Sequence, residues 1–259
     1  MKFSFKSTLI VGTLAVAAAA MSFGAGADPI HHRINNIVLV HGAFTDQTSW
    51  DQVAEILRRK GYRVTEVDNP TTSLANDEAA TNEALSRQDG PVVLVGHSWG
   101  GFIIGETGND IRVKALVYIA AFAPDRGETL GALSASGPAT PGVLALQTDA
   151  KGNLYFPRDA FDADFCGDCK EVVQDELYFH QIPFNPANFE SPAAVAAWHD
   201  KPSYYAISAN DKFLAPQAEQ FFATRMMAKT VTLPSSHASP ASHAEDVAAL
   251  IERAADECQ

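Results

Sequence analysis

The sequence predicts an α/β chain: a mostly parallel sheet of about six strands, helices on both of its faces and a helical cap over one end. Three observations carry this. Continuous apolar runs such as NIVLV (36–40) and VVLV (92–95) close on His-Gly or Gly, the mark of strands covered on both faces. Amphipathic helical patterns alternate with those runs at short intervals, which calls for parallel strands joined by right-handed crossovers. From 125 to 202 the rhythm breaks into a stretch rich in Gly, Pro, Phe and Asp. It is too long for a structureless loop in a compact domain, so short helices are expected there as a cap.

The elements follow in chain order. Lys2 and Lys6, an Ala-rich apolar run over 9–20 and the small residues Ala25-Gly26-Ala27 read as a secretory signal peptide, 1–27, cleaved after Ala27. The remainder, 28–259, has the length of one larger domain. Strand 36–40 leads to a helix over 50–60, with Trp50, Val53, Ile56 and Leu57 on one face and Gly61 as its stop. Strand 62–67 ends at Asn69-Pro70, and a helix over 76–88 turns Ala79, Ala80, Ala84 and Leu85 inward. Strand 91–95, a helix from Trp99 to Thr107 and strand 114–121 come next. The cap segment 125–202 offers helices at 171–179 and 192–198. Alternation then resumes with strand 203–208, helix 216–227, strand 230–233 and helix 242–254. The last helix starts on the capping-box pattern Ser242-His243-Ala244-Glu245.

The chemistry concentrates at VGHSWGG. Gly96-His97-Ser98-Trp99-Gly100 has the G-x-S-x-G form, between a strand and a helix, as that motif requires. A sharp strand-to-helix turn leaves no room for flanking side chains, hence the glycines. It sets the Ser98 hydroxyl at the carboxyl end of the sheet, where open α/β sheets bind ligands. A serine nucleophile needs a base, and the base needs an orienting acid, in the chain order Ser, acid, His. His237, in PSSHASP just past the last strand, is the expected base, ahead of His243 in the first turn of the last helix. Asp211, in SANDKF after the YYAIS strand, is the expected acid, with Asp125 as runner-up and Asp68 too early in the chain. Of the other histidines, His97 is expected to pack beneath the turn, and His180 and His199 belong to the cap. The oxyanion hole needs two backbone N–H donors: Trp99, after the nucleophile, and one from His41-Gly42-Ala43-Phe44, Ala43 being expected and Phe44 next. Phe44, Trp99, Phe122, Phe161, Phe165, Tyr178 and Phe184 are candidates for an apolar pocket, with core packing as the competing role for each.

The net charge is −12, and removing the leader, with its two lysines and no acids, leaves −14. That argues against nucleic acid or an anionic membrane surface as partner. Cys166-Gly-Asp-Cys169 lacks a second Cys/His pair at ligand spacing, so a zinc site is not indicated. In an exported chain a local disulfide clipping a loop is the expected state, with free thiols or redox chemistry as alternatives, and Cys258 is left without a sequence partner.

HGAFTDQTSW, VVLVGHSWGG, SANDKFLAP and SSHASPASHAEDVAALI resemble the α/β-hydrolase superfamily, over about 36–254. The likeness is to small bacterial esterase-like members and to the plant methylesterase and hydroxynitrile lyase branch. The resemblance implies the α/β-hydrolase fold, Ser98 as nucleophile, Asp211 as acid, His237 as base, Ala43 and Trp99 as oxyanion donors, and no metal or organic cofactor. Lyases of that branch use a cap lysine, and Lys151, Lys170 and Lys201 fall in no motif matching it. Serine at the elbow separates the chain from the branches whose nucleophile is a carboxylate. The expected activity is hydrolysis of small or medium carboxylic esters through an acyl-enzyme, in the periplasm or outside the cell. The expected partner is a small-molecule ester, with no membrane association once the leader is cleaved. The same triad also serves lactone, C–C and C–N cleavage, and a low-turnover receptor on this fold is the reading from another class.

Overall fold

A computed structural model describes residues 1–4 and 34–258. The chain divides into two units, 1–31 and 32–259. The expected leader, 1–27, lies outside the described residues apart from its first four, as do His31 and His32. The second unit carries the fold.

Its elements are β1 (Asn36–Val40), α1 (Asp51–Arg59), β2 (Arg63–Val67), α2 (Leu74–Ser86), β3 (Val92–His97), α3 (Trp99–Thr107) and β4 (Val113–Ile119). The cap follows with α4 (Leu130–Ser134), α5 (Pro141–Ala145), the small hairpin β5 (Gln147–Thr148) and β6 (Leu154–Tyr155), α6 (Arg158–Ala160), a π-helical turn at Phe161–Phe165 and α7 (Glu171–Phe179). The chain returns through β7 (Ser203–Ser208), α8 (Pro216–Arg225), β8 (Lys229–Leu233), α9 (Ser239–Ser242) and α10 (Ala244–Glu257). Six strands form one parallel sheet in the order β2-β1-β3-β4-β7-β8. The predicted fold class is therefore the one observed.

The central strands β1, β3, β4 and β7 are buried on both faces, alternate residues of each pointing opposite ways, while the edge strands β2 and β8 are partly exposed. Ile37, Leu39, Val93, Val95, Val117 and Ile119 pack on α1 and α10 through Val53, Leu57, Val247 and Ile251. Val38, Val40, Leu94, Leu116 and Tyr118 face the other way, onto Phe102 and Ile103 of α3, Phe222 of α8 and the cap aromatics. Full burial of each large aliphatic or aromatic side chain contributes about 1.5–3 kcal/mol, so these two layers supply the main driving force.

Four expectations shift. Strand β3 runs on to His97, because Gly96 and His97 still pair with Tyr118 and Ile119. Helix α2 begins earlier than 76, since the Ser73 hydroxyl accepts from the Asn76 amide; it buries Asp77 and Thr81 beside Ala84 and Leu85, while Ala79 is exposed. The capping box at Ser242 does not form. Ser239–Ser242 is a separate helical turn, and α10 starts at Ala244 with no side-chain cap. The predicted helix 192–198 does not form, and the chain is mostly irregular there. Pro192 lacks a donor, and the Ala193 and Val195 amides go to the Glu128 carbonyl and the Glu106 carboxylate, leaving only a 3-10 turn at Ala197–His199.

The cap is tied to the scaffold by side-chain hydrogen bonds from both sides. The Thr71 hydroxyl donates to the Pro183 carbonyl (2.8 Å), and the Asn188 amide donates to the Thr71 carbonyl (3.0 Å). Arg225 of α8 grips both Glu128 oxygens, at 2.9 and 2.7 Å, and lies over the Trp198 ring.

Helix α8 ends with Met227 at φ 51°, where the Met227 amide donates to Thr224 and the Ala228 amide to Ala223. That is the bonding of a glycine-type C-terminal motif, filled by a side chain that is 90% exposed. Left-handed backbone costs a non-glycine residue about 1–2 kcal/mol, against about 0.5–1 kcal/mol of extra chain entropy lost by glycine. Met227→Gly should therefore stabilise the fold by about 0.5–1 kcal/mol and raise Tm by roughly 1–4 °C in thermal unfolding, where a fall would contradict the account.

Candidate active site

The site lies at the carboxyl edge of the sheet, beside the β1/β3 neighbours from which the chain departs in opposite directions. Ser98 joins β3 to α3 with φ 52° and ψ −118°, a conformation that costs a non-glycine residue about 1–3 kcal/mol. The surroundings hold it there: its amide donates to the Ile119 carbonyl (3.1 Å), and its carbonyl accepts from the Gly101 (3.0 Å) and Phe122 (3.2 Å) amides. A Cβ on Gly96 would stand 2.4 Å from the Gly100 carbonyl oxygen, and one on Gly100 would stand 2.4 Å from that of Val40. Only glycine lets β1, β3 and α3 approach this closely.

Asp211, after β7, and His237, after β8, form a wholly buried pair with Nδ1 to Oδ2 at 2.5 Å. The other Asp211 oxygen accepts from the Phe213 (2.7 Å) and Leu214 (2.8 Å) amides, which orients the carboxylate. Donation from Nδ1–H leaves Nε2 of His237 as the basic nitrogen, and that atom is buried without a hydrogen-bond partner. His97 packs under the turn as expected from its position. Its Nε2–H donates to the His237 carbonyl (3.0 Å), its ring lies 4.8 Å from the His237 ring, and burial, then the neighbouring His237, push its pKa well down.

A cavity of about 880 Å³ opens over Ser98. Ala43, Phe44, Trp99, Phe122 and Phe184 line it; Phe161, Phe165 and Tyr178 do not. Those three are stacked beside His237 instead: Phe161 on Phe165 (4.8 Å), Tyr178 edge-on to Phe161, and Phe165 edge-on to His237 (5.0 Å). Pocket wall that composition did not reveal comes from Leu130, Leu133 and Val143 of the cap and from Phe213, Phe221 and Phe222. Phe213 links the cavity to His237, its ring 4.9 Å from that of His237. The remaining candidates stand elsewhere. Asp125 pairs with His199 (3.0 Å), His180 with Asp46 (3.0 Å), and His243 with Asp246 and Asp168 (3.2 and 3.4 Å). Among the described residues no cluster of His, Cys, Asp and Glu is suited to hold a metal ion, and no helix is long and apolar enough to cross a membrane.

Residues 37–250 match the model of the alpha/beta hydrolase family. The chain belongs to that family. This hydrolase is 29% identical over 259 residues to a pyrethroid hydrolase of Sphingobium wenxiniae, a match spanning 86% of this chain and 88% of that one. Its likeness to methylesterase 2 of Arabidopsis thaliana is 29% over 109 residues, covering 36% of this chain and 41% of the plant protein. Among solved structures, a pyrethroid hydrolase from Sphingobium faniae superposes with a TM-score of 0.73 over 86% of this chain and 98% of that one, at 24% identity, which speaks for the fold.

Two buried carboxyls of the hydrolase carry no signal in the sequence pattern. Glu219 of α8 accepts from the Ser208 amide (3.0 Å), and burial, then nearby Asp211, push its pKa well up. Asp77 of α2 accepts from the Trp99 indole (2.8 Å) and the Thr71 amide (2.7 Å) and so braces a residue that lines the cavity. Burial pushes its carboxyl up to about 6, against those two hydrogen bonds, from an ordinary 3.8. Between about pH 4 and 6 the folded chain then holds a proton the unfolded chain has lost, so this group's contribution falls as pH rises through that window and is level above it. Its size is about 2–3 kcal/mol. Asp77→Asn should flatten the dependence of unfolding free energy on pH between 4.5 and 6.5, measured by denaturant titration; an unchanged slope would remove Asp77 as its source.

Proposed function

We propose that this chain is a serine esterase cleaving apolar carboxylic esters through an acyl-enzyme. The observation that carries the reading is the buried Asp211–His237 pair behind a strained, cavity-lining Ser98. His237 Nε2 takes the Ser98 proton as the oxygen attacks the ester carbonyl, and Asp211 stabilises the imidazolium that forms. The Ser98 Oγ to His237 Nε2 bond is made as substrate enters, since such bonds tighten in the complex. The Trp99 amide heads α3, where a helix leaves its first N–H groups unpaired, and the Ala43 amide follows β1 on the same cavity. Together they bind the tetrahedral oxyanion, and loss of one such donor typically costs about 10²–10³ in rate. The alcohol leaves with the proton from His237, and water activated by the same ring then frees the acid.

The mostly apolar cavity wall suits an ester with apolar groups on both sides of the carbonyl. The names of the relatives, a pyrethroid hydrolase and a methylesterase, agree with ester chemistry on small molecules. We further propose export to the periplasm or medium. The Cys166–Cys169 disulfide supports this, since such bonds persist in oxidising compartments.

Ser98→Ala should reduce p-nitrophenyl ester hydrolysis by at least about 10³-fold while leaving substrate binding intact. Wild type should favour short and medium acyl chains over long ones. Full activity in the variant would reject Ser98 as nucleophile. Sequencing the amino terminus of the exported protein should give Asp28 as first residue; a product still starting at Met1 would reject cleavage.

A further inference from the structure

The CxxC motif of the sequence plays no part in the chemistry above, yet it sits against the base. Cys166 and Cys169 are joined, closing a turn in which the Cys169 amide donates to the Cys166 carbonyl (3.0 Å). The residues beside and within this turn grip the chain on both sides of His237. On one side the Ala238 amide donates to the Phe165 carbonyl (3.0 Å). On the other, the Ser236 hydroxyl donates to the Asp168 carboxylate, whose second oxygen faces His243 at 3.4 Å. Between the two tethers the Phe165 ring packs edge-on against the imidazole. A third tie, from the Gln174 side chain to the Cys166 carbonyl (2.9 Å), anchors the turn to α7.

We propose that loop 165–169 is a positioning element for His237, with Asp168 its key side chain, and that the Cys166–Cys169 bond holds the loop in register, so that catalysis falls when the bond is reduced. The proposal rests on His237 being the base. The two tethers leave from positions three apart, the same span the disulfide bridges. Once the bridge opens, Phe165 and Asp168 no longer keep a fixed separation, and the 236–238 segment loses the frame that sets the direction of Nε2. A clip across so few residues constrains the unfolded chain little, so its opening acts locally and the fold persists. Misplacement of a reacting group by about 1 Å costs up to about 10²-fold in rate, so a modest loosening is enough to register.

The exchange needs a dithiol. Cys166 is buried and Cys169 half-buried, with exposed Gly167, Asp168 and Lys170 around it, so the thiolate of a dithiol such as dithiothreitol attacks the Cys169 sulfur. Cys166 leaves as a thiolate. The second thiol of the reductant then displaces Cys169 and closes its own disulfide, so two electrons and two protons pass to the protein.

The test uses the full mature chain carrying Cys258→Ser, so that only the clip titrates. Hydrolysis of p-nitrophenyl butyrate and the rate of fluorophosphonate labelling at Ser98 are measured oxidised and after reduction and alkylation, with two thiols confirmed by mass. Reduction should lower kcat about tenfold with KM within about twofold, slow labelling in parallel and leave unfolding cooperative. Asp168→Ala in the oxidised protein should reproduce the loss, and reducing that variant should add little. Asp168→Asn, which keeps an oxygen acceptor for Ser236, should retain more than half the activity. A reduced, folded protein that keeps its kcat, or that changes only KM, overturns the proposal. Should reduction unfold the chain, Asp168→Ala with the disulfide intact decides it: full kcat there overturns it. An oxidised protein that neither hydrolyses the ester nor labels at Ser98 fails differently, removing the esterase reading itself and this inference with it.

Discussion

Between β3 and α3 the main chain turns so tightly that three segments meet at backbone contact distance. The Gly96 and Gly100 positions have no volume for a methyl group, and Ser98 is held in a left-handed conformation by hydrogen bonds from β4 and from the segment after it. Everything in the site is laid out relative to this point. The His41-Gly42-Ala43 turn abuts it, α3 starts from it, and the cavity opens above it. The strain is sustained because two apolar layers, one on each face of the sheet, fix the strands on either side.

The electrostatic arrangement depends on burial in a second way. The Asp211–His237 pair is fully enclosed, and its carboxylate accepts from two backbone amides and the imidazole. The same lack of water pushes the pKa values of His97 and His41, also enclosed, below the ordinary histidine value. One set of walls therefore encloses the pair and disfavours the charged form of the two neighbouring imidazoles.

What was legible in the sequence followed a simple distinction. Uninterrupted apolar runs, glycine stops and the G-x-S-x-G pattern are local consequences of the sheet and the elbow, so NIVLV and VGHSWGG announced both. Features set by distant partners were not legible. The Ser242 capping pattern is locally sound, yet the chain spends those residues on a separate turn. Asp77 looks like a solvent-facing acid until Trp99 and Thr71 arrive from elsewhere. An aromatic side chain carries no mark of which side of His237 it will fall on, so Phe161, Phe165 and Tyr178 were as plausible for the pocket as Phe44, Phe122 and Phe184.

The anchoring of the cap has an evolutionary corollary. Its fastening points, Thr71, Glu106 and Arg225, belong to the scaffold and are scattered over much of its length. A homologous insertion grafted between β4 and β7 would arrive without its fasteners, and the scaffold's own would face unmatched surfaces. Side-chain replacement along the cavity walls leaves these fasteners in place, whereas exchange of the whole segment removes their partners. The segment and the scaffold are joined through specific partners, so neither surface is complete without the other.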